Sequence, residues 1–249
     1  MSIAELPPQT VTSPRSAVQV DTNRRTLTLE QALYAGLFVL SIIVHVWGLD
    51  NRALHHDETL HAAFSYYVFS GRGYIHDPLL HGPFLYFWSA LIYFLFGDSN
   101  YTARLGAAIF GSVLTVLPYL MRREMGRGTA LVASIALLIS PVILYVGRFT
   151  RHDIYAVVFE LLVFISIVRY ASTRKPGWLY LGVAALALMF TTLETFFLYL
   201  AIFLPVILGL FFYRVWRPGA AIVAALGVVI ATLVFILPGH PERPFQTHP

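Results

Sequence analysis

Apolar residues in this chain come in long runs joined by short polar connections, and not in alternating or heptad patterns. A helix needs about 20 apolar residues to cross a ~30 Å hydrocarbon core. The runs Leu29–Trp47, Thr102–Leu120, Thr129–Val146, Ile154–Tyr170, Trp178–Leu193, Phe196–Tyr213 and Ala220–Leu237 approach or reach that length, and Pro83–Phe96 is apolar on all sides but short for a crossing. After the first run, Leu60, Phe64, Tyr67 and Val68 recur at helical spacing and Gly71 and Gly73 close the pattern. This predicts an amphipathic surface helix over Glu58–Ser70, with Asp57 as its N-cap. The expected architecture is an all-α membrane protein of about seven transmembrane helices, with amphipathic surface helices in the first outer loop.

The apolar module spans residues 29–238, including an outer loop at 49–100. A polar tail, Met1–Thr28, is expected to be disordered and cytoplasmic. The first run starts too far from the N-terminus for a cleavable secretory signal and is expected to remain as an anchor. Gly239–Pro249 is polar and proline-rich, and the module reads as the first part of something longer.

Composition agrees with the runs. Of 249 residues, 57% are hydrophobic and 12% charged, against about 45–50% and 25% in an ordinary soluble domain. A soluble domain, a disordered chain and a nucleic-acid binder are excluded. Cysteine is absent, which removes disulfide scaffolds, thiolate metal sites and cysteine nucleophiles. Charge sets the expected topology. If Pro83–Phe96 lies along the outer surface, eleven of the seventeen Lys and Arg fall inside; if it spans, only seven do. Seven spans with the N-terminus inside the plasma (inner) membrane follow. All nine histidines and most acidic residues then lie at the outer side, where chemistry is expected.

Three outer patches carry candidate chemistry. The first is Leu54–His61, L-H-H-D-E-T-L-H. Asp57 is a candidate general base as well as a cap. Glu58 and His61, three apart, share a helix face. His56, Glu58 and His61, with His81, offer nitrogen and oxygen ligands for a divalent metal; the alternative is that these histidines only make hydrogen bonds. The second patch is Gly147–Asp153, G-R-F-T-R-H-D. Arg148 and Arg151 are spaced to reach one anion, with His152 and Asp153 beside them, although interfacial arginines also snorkel. The third is Tyr74–Pro83, with His76, Asp77 and His81. Two carboxylates lie inside apolar runs, where acids are costly and hint at function. Glu194 is expected at an outer helix junction and Glu160 paired with an arginine in the bundle.

The order of these features resembles the GT-C superfamily of membrane glycosyltransferases. The carrying residues are H-D-E-T after the first span, S-G-R-G-Y closing the surface helix, H-G-P-F-L-Y-F-W, L-F-G-D-S-N-Y-T-A-R-L-G before the next span, and R-F-T-R-H-D. The superfamily includes the protein O-mannosyltransferases and the lipid A aminoarabinose transferases. The chain is most similar to a prokaryotic branch named as flippase-activity-associated proteins. The likeness covers about Leu29–Leu237. It implies transfer of a sugar from a polyprenyl-phosphate donor to a hydroxyl on a lipid, glycan or protein acceptor, at the outer face of the bilayer. It implies Asp57 as catalytic base, with Glu58 beside it, and Asp153 arranging the acceptor or a metal. Relatives often carry lysine where this chain has Gly82 and Leu193. The one lysine, Lys175, is placed inside, so the donor phosphate falls to Arg148, Arg151 and His81. Two other readings start from the same residues: a non-catalytic GT-C-like subunit of a larger complex, and a lipid-linked sugar flippase.

Overall fold

The computed structural model describes residues 28–74 and 81–215, with isolated helical positions at 222, 226, 227 and 229. These residues form helices and turns, with no strand among them. In chain order the helices are α1 (Leu29–Val46), α2 (His56–Phe69), α3 (Phe84–Phe96), α4 (Asn100–Val116, prolonged by a 3-10 turn to Met121), α5 (Arg127–Ile139), α6 (Pro141–Val146), α7 (Asp153–Thr173), α8 (Pro176–Phe190) and α9 (Phe196–Val215). The expected span Ala220–Leu237 falls almost wholly outside the described residues, as do most of the N-terminal tail, the C-terminal tail, His76 and Asp77.

α1, α4 with its extension, and α7 are long and apolar enough to cross a membrane; α3, α5 and α8 are apolar but shorter. The 13 residues of α3 reach about 20 Å at 1.5 Å per residue, short of a crossing. Large apolar side chains stay exposed on the long helices, among them Val39 and Ile43 of α1 and Phe164 of α7, a surface suited to lipid tails. This is an integral membrane protein.

The expected span Thr129–Val146 is two helices. Pro141 has no N–H to continue α5, and the residue before a proline is pushed towards extended backbone. Ser140 accordingly sits at φ −65°, ψ 118°, ends α5 and begins α6, where its hydroxyl accepts from the Ile143 N–H.

Close packing follows small residues. α1 lies along α4, α4 along α7, α7 along α8 and α2 along α3. On α4, Ala103, Ala107 and Gly111 recur every fourth position and are buried, which lets backbones approach. At Gly111 a methyl group would stand 2.6 Å from the His45 ring of α1. One turn away, the Ser41 hydroxyl donates to Thr115 Oγ1 at 2.9 Å, joining α1 to α4. Edge-to-face contacts among Phe84, Phe110, Tyr155 and Phe159 fill the space between α3, α4 and α7. Glu160 of α7 bonds the Tyr199 hydroxyl of α9 and not the expected arginine.

α2 meets its predicted orientation in part: Phe64 and Val68 pack against the core, but polar residues are buried with them. It buries Glu58, His61 and Ser65, while Leu60, Tyr66, Tyr67 and Phe69 stay exposed. Its polar stripe faces the bundle because the partners of that stripe lie there.

Candidate functional site at one end of the bundle

The functional residues named from sequence come from α2, the turn before α3, the loop before α7 and the junction of α8 with α9. All four segments meet at one end of the bundle. Ion pairs of Glu30 with Arg122 and Arg127, and of Glu124 with Arg169, mark the other end.

The site is built on Glu58, which is fully buried. Arg104 of α4, also buried, donates Nε–H to Glu58 Oε1 and Nη2–H to Oε2, both at 2.7 Å. The same guanidinium bonds the carbonyls of Leu49, Arg52 and Ala53, fixing the α1–α2 connection. Glu58 also accepts from the His55 N–H at 2.9 Å, the Thr150 N–H at 3.3 Å and Arg52. Burial pushes the Glu58 carboxyl up, but the Arg104 bonds, the two backbone donors and the Arg104 charge outweigh that and hold it below its ordinary range. Both oxygens are therefore engaged in joining α2, α4 and the loop before α7.

α2 begins two residues earlier than expected. Its N-cap is His55, whose Nδ1 accepts from the Asp57 N–H at 3.3 Å while Glu58 accepts from the His55 N–H. Asp57 sits inside the first turn, and its carboxylate is left for other partners. Arg151 supplies one: its Nη1 lies 3.7 Å from Asp57 Oδ2 and its Nε 3.2 Å from Asp153 Oδ2. All three side chains are between 43% and 48% exposed. Two carboxylates nearly a hundred residues apart thus meet around one accessible guanidinium.

Arg148 does not join them. It bonds the carbonyls of Val44, Trp47 and Gly48 and closes the C-terminal end of α1. The expectation that Arg148 and Arg151 reach one ligand is not met, because the free carbonyls of a helix end draw the nearer cation. Arg52 was not named from sequence. It is half exposed, pairs with Glu58 at 3.3 Å and lies 5.5 Å above the Phe149 ring. Its signal was its place three residues before the H-H-D-E stretch.

Behind the acid pair lies a row of histidines. His61 shares a 3.1 Å hydrogen bond with the Tyr86 hydroxyl. The His152 ring stands edge-on to His61 at 5.0 Å and to His81 at 5.2 Å. His152 donates Nε2–H to the Gly82 carbonyl at 3.2 Å. Burial, then His81 and Arg151, push His61 down to about 4. Burial, then His61, push His152 down to about 3. Both rings are neutral near pH 7, so neither supplies charge to an anion. His81 donates Nδ1–H to Glu194 Oε2 at 2.7 Å, and both side chains reach solvent. Glu194 lies at the α8–α9 junction, as the sequence predicts.

Gly82 belongs to a backbone contact. Its N–H donates to the Thr192 carbonyl at 3.2 Å, and the Phe84 N–H to the Thr191 carbonyl at 2.9 Å. A side chain at Gly82 would collide with the Thr191 carbonyl. Positions 82 and 193 therefore flank one tight junction.

The residues named for a metal do not gather. His56 is exposed, Glu58 is held by Arg104, and His61 is bonded to Tyr86. Among the described residues no group of three or more His, Asp or Glu could hold an ion.

The family described as dolichyl-phosphate-mannose-protein mannosyltransferase matches residues 80–238. A search of curated proteins gives no significant match. Two crystal structures of ArnT from Cupriavidus metallidurans share the fold. The one bound to undecaprenyl phosphate is 23% identical with a TM-score of 0.60, over 81% of this chain and 40% of that one. The apo form is 24% identical with a TM-score of 0.59, over 83% and 40%. This chain thus spans well under half the length of either structure. With most of its length matched by one family and its helices arranged as in ArnT, the chain belongs to the dolichyl-phosphate-mannose-protein mannosyltransferase family, within the GT-C superfamily of membrane glycosyltransferases.

Proposed function

We propose that this chain is the membrane module of a glycosyltransferase that moves a sugar from a polyprenyl-phosphate donor to an acceptor hydroxyl at the outer face of the plasma membrane. The observation that carries this reading is the meeting of Asp57 and Asp153 around Arg151. Asp57 is the general base. It takes the acceptor proton as that oxygen bonds the anomeric carbon, and the bond from that carbon to the phosphate oxygen breaks. Arg151, helped by Arg52 and His81 at the same end of the bundle, offsets the charge on the leaving polyprenyl phosphate. Asp153 orients Arg151, and Glu58 holds Asp57 and the Arg151 loop in register. ArnT, which has this fold, has been crystallised with undecaprenyl phosphate, which supports a polyprenyl carrier.

The test is transfer from a polyprenyl-phosphate-mannose donor in membranes containing the full-length protein. Asp57→Asn should lower the rate by roughly 10²–10⁴-fold, the usual worth of a general base, while the fold persists. Unchanged transfer in that variant would remove Asp57 from the mechanism.

A further inference from the structure

Arg151 is the residue on which the two roles proposed above conflict. A base that deprotonates a hydroxyl needs its carboxylate open to the acceptor. A cation that receives a phosphate needs its guanidinium open to the donor. Here Arg151 holds both acids at once, and does so unequally. Nε is 3.2 Å from Asp153, whereas Nη1 is 3.7 Å from Asp57. Arg148 is committed to the end of α1 and Arg104 to Glu58, while His61 and His152 are neutral; Arg52 and His81 are partly exposed but engage Glu58 and Glu194, not Asp57.

We propose that Arg151 is a donor-operated latch on the base. Before donor binds, it ties up the Asp57 carboxylate. The donor phosphate then draws the Nη end away, while Nε stays hinged on Asp153, and Asp57 is released to the acceptor. The exchange is favourable because a half-exposed ion pair at 3.7 Å is weak, whereas phosphate oxygens offer the guanidinium a bidentate, charge-assisted partner. The device enforces order: donor first, base second. Without donor, the base is held from acceptor hydroxyls. The inference rests on the proposed transferase reading and adds a sequence of events to it.

A double-mutant cycle on undecaprenyl phosphate affinity tests it, using the full-length protein in lipid nanodiscs. If phosphate competes with Asp57 for Arg151, Asp57→Asn removes the competitor and tightens binding by about threefold to fivefold, the upper end for an exposed pair. In an Arg151→Met background the same substitution should leave affinity nearly unchanged. An equal gain in both backgrounds means only that a negative charge was removed near the lipid, and overturns the latch. So does no gain in either, with lipid still bound; both results leave the transferase reading standing. Failure of the unmodified protein to bind undecaprenyl phosphate overturns the polyprenyl-donor reading and the latch together. Arg151→Lys, which keeps charge but loses the fork, should bind more weakly and show a reduced gain.

Discussion

Glu58 and Arg104 form a two-toothed ion pair at 2.7 Å on both teeth, 46 residues apart in sequence and sealed from solvent. Removing Arg104 leaves Glu58 buried with only the half-exposed Arg52 as counter-charge, and removing the Glu58 charge leaves Arg104 buried without an acid. Arg104→Met, which also strands three carbonyls of the α1–α2 connection, should destabilise the protein by about 3–5 kcal/mol. Glu58→Gln should do so by less, since an amide oxygen still accepts from Arg104. Thermal unfolding in detergent measures both. A Glu58→Gln/Arg104→Met pair costing less than the sum of the singles would confirm the coupling.

Acid should loosen the site before it loosens the rest. The folded values of about 4 for His61 and about 3 for His152 lie below the ordinary 6.5, so the fold favours their neutral forms. The stability they contribute is complete above about pH 6.5 and is lost as pH falls towards 4 for His61 and 3 for His152. Melting temperature should therefore drop from pH 7 to pH 4.5. A His61→Gln/His152→Gln variant should show a shallower drop. An identical acid profile in that variant would mean the loss arises elsewhere.

Gly82 admits no side chain. Gly82→Ala pushes a methyl group into the Thr191 carbonyl and should lower stability by about 1–3 kcal/mol, the range for overpacking. Leu193→Lys, at a partly exposed position of the same junction, should be tolerated. Comparing the two melting curves separates steric exclusion at position 82 from a general intolerance of the junction.

Arg148 and Arg151 should behave oppositely despite their shared motif. Arg148→Ala removes the partner of the α1 carbonyls and should cost about 1 kcal/mol of stability with little change in undecaprenyl phosphate affinity. Arg151→Ala should leave the melting temperature near its original value and weaken lipid binding. Equal lipid losses in both variants would return Arg148 to the donor site.

Much of the fold was legible because bilayer thickness acts on run length alone. Leu29–Val46 and Asp153–Thr173 could be read almost to their ends. The site was legible as a set of residues but not as a set of partners. Asp57, Arg151, Asp153, His81 and Glu194 were all named, and the structure brings them to one end of the bundle. The roles that escaped were set by tertiary contact. His55 is not a favoured cap residue, so Asp57 took its place in the reading. Glu58 looked like half of a catalytic pair until Arg104 supplied its partner from the next long helix. An arginine within an apolar span must find an acid, and that signal was present in T-A-R-L-G. The break at Pro141 was also visible, but an apolar run that continued past it outweighed one proline.

The contacts of Glu58 also say when the site can exist during synthesis. Its carboxylate leaves the ribosome well before Arg104, which follows 46 residues later, and before Thr150, which follows 92 residues later. At about 5–20 residues per second, an acid destined for a dry interior waits several seconds for its buried partner, with only the half-exposed Arg52 made before it. Until α4 arrives, the α1–α2 connection lacks the guanidinium that gathers its carbonyls, and Asp57 cannot meet Arg151 until the loop after α6 emerges. The Asp57–Arg151–Asp153 cluster thus cannot form until the first six helices have been made, and the helices that follow it, α7 to α9, are added behind a cluster whose residues are already present.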